Sequence, residues 1–232
     1  ILSKRIISWI LNVDVILNNG SFYFKKNFLN SIIAQTNHLK KNIKFEKNNS
    51  KRIEVLTAIL LSGLVFKEYL DNFDISIKEL EKLIKDCFDD DGFPLTRNPN
   101  DLIFFSKYLI LCRETIKDAQ KYVPEFLEII IDKNLKCIKN ILTPKNQTPL
   151  FNGGTEDHIT QFDKFFDAVN LKSKDKKKLL GGIHIFNIKS STIFFDVGEP
   201  PKKDFSRSYQ SGPLSFEYYL DGEKIITNCG FG

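Results

Sequence analysis

The sequence predicts an α+β protein in a two-layer arrangement: a helical array over residues 1–172, then antiparallel strands over 173–232. Three observations carry this expectation. From Arg5 to about Leu142 apolar residues recur three and four apart, the period of helices that bury one face. After about residue 180 the pattern changes to short β-rich runs separated by "KSS" and "DG", turn chemistry that joins neighbouring strands. Helices first and strands second segregate into layers or domains instead of alternating, which argues against a parallel sheet.

The elements follow in chain order. "RIISWILNVDVIL" is expected to form the first helix, with Trp9, the only tryptophan, in its core face. "SFYFKKNFLNSIIAQTNHLKKNIK" gives the second, opened by Ser21 as an N-cap after Gly20. "SKRIEVLTAILLSGLVFKEYL" follows with Ser50 as cap, then "SIKELEKLIKDCF" with Ser76 and Glu79 at capping-box spacing. "NDLIFFSKYLILCRETIKDAQ" is the fifth helix, and "PEFLEIIIDKNLKCIKNIL" the sixth, with Pro124 in its first turn. Short polar breaks favour antiparallel neighbours, and no fixed-period repeat supports a solenoid. After a short helix at "EDHITQFDKFFDAV", the runs "GGIHIFNIKSSTIFFDVGEPP" and "GPLSFEYYLDGEKIITNCG" each predict two strands.

Composition limits the function classes. With 232 residues, 42% hydrophobic and 27% charged, the chain can bury a core and is not of a disordered class. Lys plus Arg is 34 against 29 for Asp plus Glu, and the resulting +5 favours an acidic partner. The dense basic run "KSKDKKKLL" (172–180) lacks interleaved aromatics and reads as a solvated linker, so no nucleic-acid partner is expected. Cys87, Cys112, Cys137 and Cys229 stand far apart without a CxxC pair, which suggests neither a zinc cluster nor a disulfide framework. No metal or cofactor is expected. The apolar runs fall short of the roughly 20 residues that span a bilayer, so no membrane span is expected. The chain ends at "ITNCGFG" on a strand pattern with nothing to cover it, and reads as part of a longer protein.

Nucleotide-binding, serine-hydrolase and zincin motifs are missing, which leaves the polar residues to be weighed singly. The three histidines sit in three settings: His38 in a helix, His158 in a turn-rich loop, His184 in a strand. Alternation puts Ile183 and Ile185 on one face and His184 on the other, toward solvent. His158 follows "GGTED" at a helix start, where a structural role is at least as good a reading as a site. Asn37 and His38 form a pair on an otherwise apolar helix, read either as a polar helix edge or as part of a sugar site. The long stretches "DDDGFPLTRNPN" (89–100) and "TPKNQTPLFNGGTEDH" (143–158) carry turn residues and are either surface loops or binding loops. β-Elimination on a uronate needs donors that neutralise the carboxylate and acidify the C5 proton, a base, and an acid for the leaving oxygen. Asn and His suit the first task, Tyr or His the others.

Taken in order, "QTNHLKKN", "AILLSGLVF", "DGFPLTRNP", "LFNGGTED", "FFDVGEPP" and "SRSYQSGPLSFEYYLDGEKIITNCG" make a sequence that resembles the heparinase II/III-like family over nearly its whole length. The resemblance implies an N-terminal (α/α) toroid-type helical array followed by the start of an antiparallel β-sandwich. It also implies a polysaccharide lyase, with an acidic polysaccharide or oligosaccharide as partner and a place in the periplasm or cell envelope. By position, Asn37 and His38 match the pair that binds and neutralises the substrate carboxylate. On the lyase reading Arg97, Asn98 and Gln210 are further polar substrate-binding residues, and the catalytic acid and base are either Tyr209, if its strand register turns it inward, or residues outside this sequence. Two departures stand out. The family tyrosine after the "DG" loop is absent, since "RNPND" leads to Leu102, and Gln210 stands where lyases carry a histidine. Three readings therefore stay open: a lyase, a non-catalytic carbohydrate-binding or envelope protein, and a helical scaffold for protein partners.

Overall fold

The computed structural model describes residues 1–66, 70–143, 145, 147–155, 177–207, 209, 212 and 214–228. Seven helices are followed by five strands: α1 (Leu2–Leu11), α2 (Val13–Leu17), α3 (Phe22–Asn42), α4 (Asn49–Val65), α5 (Leu70–Cys87), α6 (Pro99–Asp118), α7 (Glu125–Ile141), then β1 (Leu179–Leu180), β2 (Ile183–Ile188), β3 (Ser191–Asp196), β4 (Phe216–Leu220) and β5 (Glu223–Ile226). The expected order of helices and then an antiparallel sheet holds. The short helix expected at 156–169 and His158 lie outside the described residues, as does the expected boundary at 172. The described chain groups into two compact units, Ile1–Asp86 with Lys107–Glu128, and Cys87–Ser106 with Ile129–Gly232. The strands thus share a unit with helical residues, because a sheet with one apolar face needs a layer against it.

In the first unit α4 is the central element. Its residues from Leu56 to Gly63 are buried on every side, so an amphipathic period is hidden in a continuous apolar run. α1 and α3 pack against it. Each fully buried Leu or Ile contributes roughly 1.5–3 kcal/mol relative to exposure, which outweighs the weak helix preference of the β-branched residues. At Gly63 the backbone of α5 comes so close that a Cβ would lie 2.5 Å from Phe73 N. One carboxylate, Glu54, is buried here and is held by Lys4 Nζ at 3.2 Å, the Tyr108 hydroxyl at 3.2 Å and the Ser3 hydroxyl at 3.4 Å.

Helix ends depart from expectation where side chains compete. The first helix breaks at Asn12, whose amide donates back to Ser8 O at 2.8 Å. Ser21 caps α3 as expected, accepting from Phe24 N at 3.2 Å. α4 is capped by Asn48, which accepts from Lys51 N at 2.9 Å, so the cap is two residues before Ser50. Ser76 is not a cap: it is fully buried inside α5, on the stripe Asn72, Ser76, Leu80, Leu83 and Cys87. Two polar residues on the buried stripe conceal its first turn.

The second unit is built on a meander in the order β1-β2-β3-β4-β5, antiparallel throughout. Asp221 and Gly222, both with positive φ (51° and 81°), make the tight turn between β4 and β5. Inward residues Leu180, Ile183, Ile185, Phe194 and Tyr219 meet Phe93, Leu102, Cys137, Ile138, Ile141 and Phe151 from the helical and loop segments. Phe194 and Tyr219 pack edge to face with centroids 5.6 Å apart. His184 takes the other face, beside the Phe186 ring at 4.2 Å, as alternation requires. Cys87, Cys112 and Cys137 are buried thiols outside any disulfide among the described residues, and burial pushes the Cys112 and Cys137 thiols up to about 12. They act as small apolar groups.

Candidate functional site

Residues 28–39 of α3 bury Phe28, Ile32, Thr36 and Leu39 on one stripe. A helix turns about 100° per residue, so Asn37 sits on the flank of that stripe and His38 beyond it. Asn37 is half-buried and His38 exposed. The His38 carbonyl accepts from the Asn42 amide at 2.8 Å. Among the described residues neither the Asn37 nor the His38 side chain has a hydrogen-bonding partner. Both are therefore able to donate to a ligand without first breaking an internal bond. Nearby, Lys40 Nζ donates to Asn72 Oδ1 at 3.0 Å.

In the second unit the two long loops are packed rather than loose. Asp89 closes the first by accepting from Asp91 N at 3.0 Å and Phe93 N at 2.8 Å. Asn134 then fastens it to α7 through Gly92 O at 2.6 Å. Asn98 is 6% exposed. Its Oδ1 accepts from Asn100 N at 2.8 Å, with Pro99 as the first helical residue, so it caps α6. The second loop joins the first through Asn152, whose amide donates to Arg97 O at 3.1 Å, and through Asn100, which donates to Thr155 O at 3.0 Å. Leu102, which follows the "RNPND" stretch, is fully buried in the core.

Arg97 is 7% exposed and has a left-handed backbone (φ 58°). Its Nε donates to Gly181 O at 2.8 Å, Nη1 to Glu199 O at 2.7 Å, and Nη2 to Gly182 O at 3.4 Å and to the Asp196 carboxylate. The guanidinium is thus bound by protein acceptors on every nitrogen. Tyr209, in the connection from β3 to β4, is half-buried, and its N–H donates to Ser206 O at 3.1 Å. Gln210 lies outside the described residues. Asp196 carries no motif that would have singled it out, since an acidic residue at a strand end is ordinary.

Among the described residues there is no group of three or more His, Cys, Asp or Glu that could hold a metal ion, and no helix is long and apolar enough to cross a membrane.

A family model described as "Heparinase II/III-like, C-terminal" matches residues 172–232. The fold comparison extends the likeness to the helical part. The crystal structure of heparinase III aligns with 99% of this chain at a TM-score of 0.79 and 13% identity. Its C-terminal stretch thus matches the heparinase II/III-like family model, and its fold is that of heparinase III. A second solved structure, the heparan sulfate lyase HepC from Pedobacter heparinus, aligns with 99% of the chain at a TM-score of 0.76 and 18% identity. The chain covers 42% of the first structure and 40% of the second. It spans about two fifths of the length of the solved proteins it matches. A curated relative, "Uncharacterized protein 218R" of Invertebrate iridescent virus 6, is 25% identical over 212 residues, which is 85% of this chain and 77% of that protein.

One position in the heparinase-like "RNPND" stretch gives a pH prediction. Burial raises the Asp101 carboxyl above its ordinary value, while the Thr96 hydroxyl, donating to it at 2.7 Å, pulls the other way. A carboxyl raised in the folded state stabilises the fold fully below its unfolded value, and that contribution is lost as pH rises through the raised value. Asp101→Asn is therefore expected to raise the melting temperature at about pH 7 and to leave it nearly unchanged at about pH 3. Thermal unfolding of both proteins across that range checks the sign.

Proposed function

We propose that the protein is a polysaccharide lyase that cleaves an acidic, uronate-containing glycan by β-elimination. The observation that carries this reading is the Asn37-His38 pair, with side-chain donors open to a ligand, in a chain with the heparinase III fold. Asn37 and His38 donate to the uronate carboxylate and so stabilise the charge that builds up when the C5 proton leaves. Proton transfer is assigned to Tyr209 from the sequence resemblance alone. The C5–H electron pair forms the new double bond, the C4–O bond breaks, and a proton is returned to the leaving oxygen. Gln210 is assigned a polar contact along the chain of sugars. An enzyme with that substrate acts in the periplasm or cell envelope.

A second reading, a non-catalytic glycan-binding protein, is favoured by one feature of the sequence: no tyrosine follows the "DG" loop, where "RNPND" leads into the buried Leu102. Loss of that phenol, with Gln210 in place of a histidine, leaves binding groups without their usual proton carriers. The two readings differ in a direct assay. Ultraviolet absorbance of unsaturated uronate is followed on a panel of acidic glycans with the wild type and Tyr209→Phe. The lyase reading expects product from the wild type and about 10²–10⁴-fold slower turnover in the variant, with glycan affinity retained. Glycan binding without product from the wild type supports the second reading instead.

A further inference from the structure

We infer that Arg97 is a positioning residue: with Asp196 it clamps the neck of the loop 197–215, the segment that carries Tyr209. The loop leaves the sheet at Asp196 and returns at Phe216, and both limbs are held at one point. On the outgoing limb Arg97 Nη1 donates to Glu199 O at 2.7 Å, Val197 N donates to Gly182 O at 2.9 Å, and Gly198 N donates to Asp196 Oδ1 at 3.2 Å. On the returning limb Leu214 N donates to Asp196 O at 3.0 Å, and Asp196 N donates to Ser215 O at 2.8 Å. Asp196 is therefore bonded to both limbs through its backbone and side chain, and its carboxylate is paired with the guanidinium that grips the first limb.

The packing around the guanidinium shows how closely this clamp is fitted. A Cβ on Gly182 would lie 2.7 Å from Arg97 Nη2 and 2.7 Å from Gly198 Cα. A Cβ on Gly198 would lie 2.5 Å from both Cζ and Nη2 of Arg97. Two glycines thus give the planar group a slot between the β1–β2 turn and the loop neck, and only a planar fork can reach Glu199 O, Gly181 O and Asp196 together. Arg97 itself is anchored from behind by the Asn152 amide on its carbonyl. A buried guanidinium with every nitrogen already bonded to protein acts on a substrate chiefly through what it holds. What it holds is the base of the Tyr209 loop. An error of about 1 Å in a proton-transfer group is enough to cost on the order of 10²-fold in rate.

The catalytic consequence rests on the lyase reading above, whereas the clamp itself does not, and the test separates them. Residue-resolved amide exchange is measured on the wild type, Arg97→Lys and Asp196→Asn, together with steady-state kinetics on an acidic glycan. Lysine keeps the charge but cannot reach the three acceptors at once. The Leu214 and Asp196 amides are expected to exchange about ten-fold faster in Arg97→Lys and less so in Asp196→Asn, with the β2–β3 amides unchanged. The kcat is expected to fall about ten-fold or more while KM moves by less than about two-fold. Unchanged exchange at Leu214 and Asp196 in both folded variants overturns the clamp. A raised KM at constant kcat overturns the positioning role and returns Arg97 to direct substrate contact. A wild type without product removes the lyase reading alone, because amide exchange still decides the clamp. If Arg97→Lys does not fold, the Asp196→Asn exchange pattern decides it.

Discussion

Replacing Arg97 with alanine is expected to cost about 3–5 kcal/mol of folding stability, the largest effect of any single polar substitution considered for this chain. The reason is the state of Asp196, which is 4% exposed and has Arg97 as its charged partner. Removing the guanidinium leaves a carboxylate buried without a cation, takes the Arg97 donors from the Gly181 and Glu199 carbonyls, and opens a void beside Gly182 and Gly198. Replacing both partners, as in Arg97→Met with Asp196→Asn, removes the stranded charge and is expected to recover about half of the loss or more. Denaturant unfolding of the two variants and the wild type measures both numbers. A loss below about 1 kcal/mol in Arg97→Ala means that water or a neighbouring cation replaces the guanidinium, and that the pair is not the keystone of the second unit.

The second large effect falls on activity. Asn37→Ala with His38→Ala is expected to lower glycan turnover by about 10²–10³-fold while the melting temperature changes little. Stability is spared because Asn37 is half-buried, His38 is exposed, and neither side chain bonds to another described residue. Alanine also suits a helix at least as well as either residue. A rate loss with no stability loss is the signature of groups kept for a ligand. If turnover is unchanged, the site lies elsewhere; if the protein unfolds, the pair is structural.

How much of this was legible in sequence can be traced residue by residue. The period change from helix to strand, the cap at Ser21 and the Asp221-Gly222 hairpin were all readable, because each depends on neighbours within a few positions. Ser76 was misread as a cap because a buried serine on a helix stripe and a capping serine look alike until the burial of the preceding turn is known. The start of α4 moved to Asn48 for a related reason, since two good caps stood two residues apart and local energy alone does not choose between them.

The candidate site was half legible. Asn37 and His38 stand out as a polar pair beside the buried stripe of α3, and among the described residues neither side chain has a hydrogen-bonding partner. Arg97 was expected on the substrate side because it belongs to a turn-rich stretch between helices. Its actual partners are about a hundred positions away in the sequence, at Gly181, Asp196 and Glu199, and the pairing is invisible to any local pattern. Asp196 and the glycines at 182 and 198 gain their meaning only once the sheet brings them around the guanidinium. Asn98, read as polar lining, spends its side-chain oxygen on the first turn of α6.

The most direct measurement is the mass of the products released from a defined acidic oligosaccharide. Elimination adds nothing across the cleaved bond, so the masses of the two fragments sum to that of the parent, and the non-reducing end of one fragment carries the new double bond. That sum is the predicted result, with product formation slowed in the Asn37→Ala, His38→Ala protein. Fragments that together exceed the parent by one water would show hydrolysis and contradict the account, and an intact oligosaccharide after prolonged incubation across acidic glycans would contradict catalysis altogether.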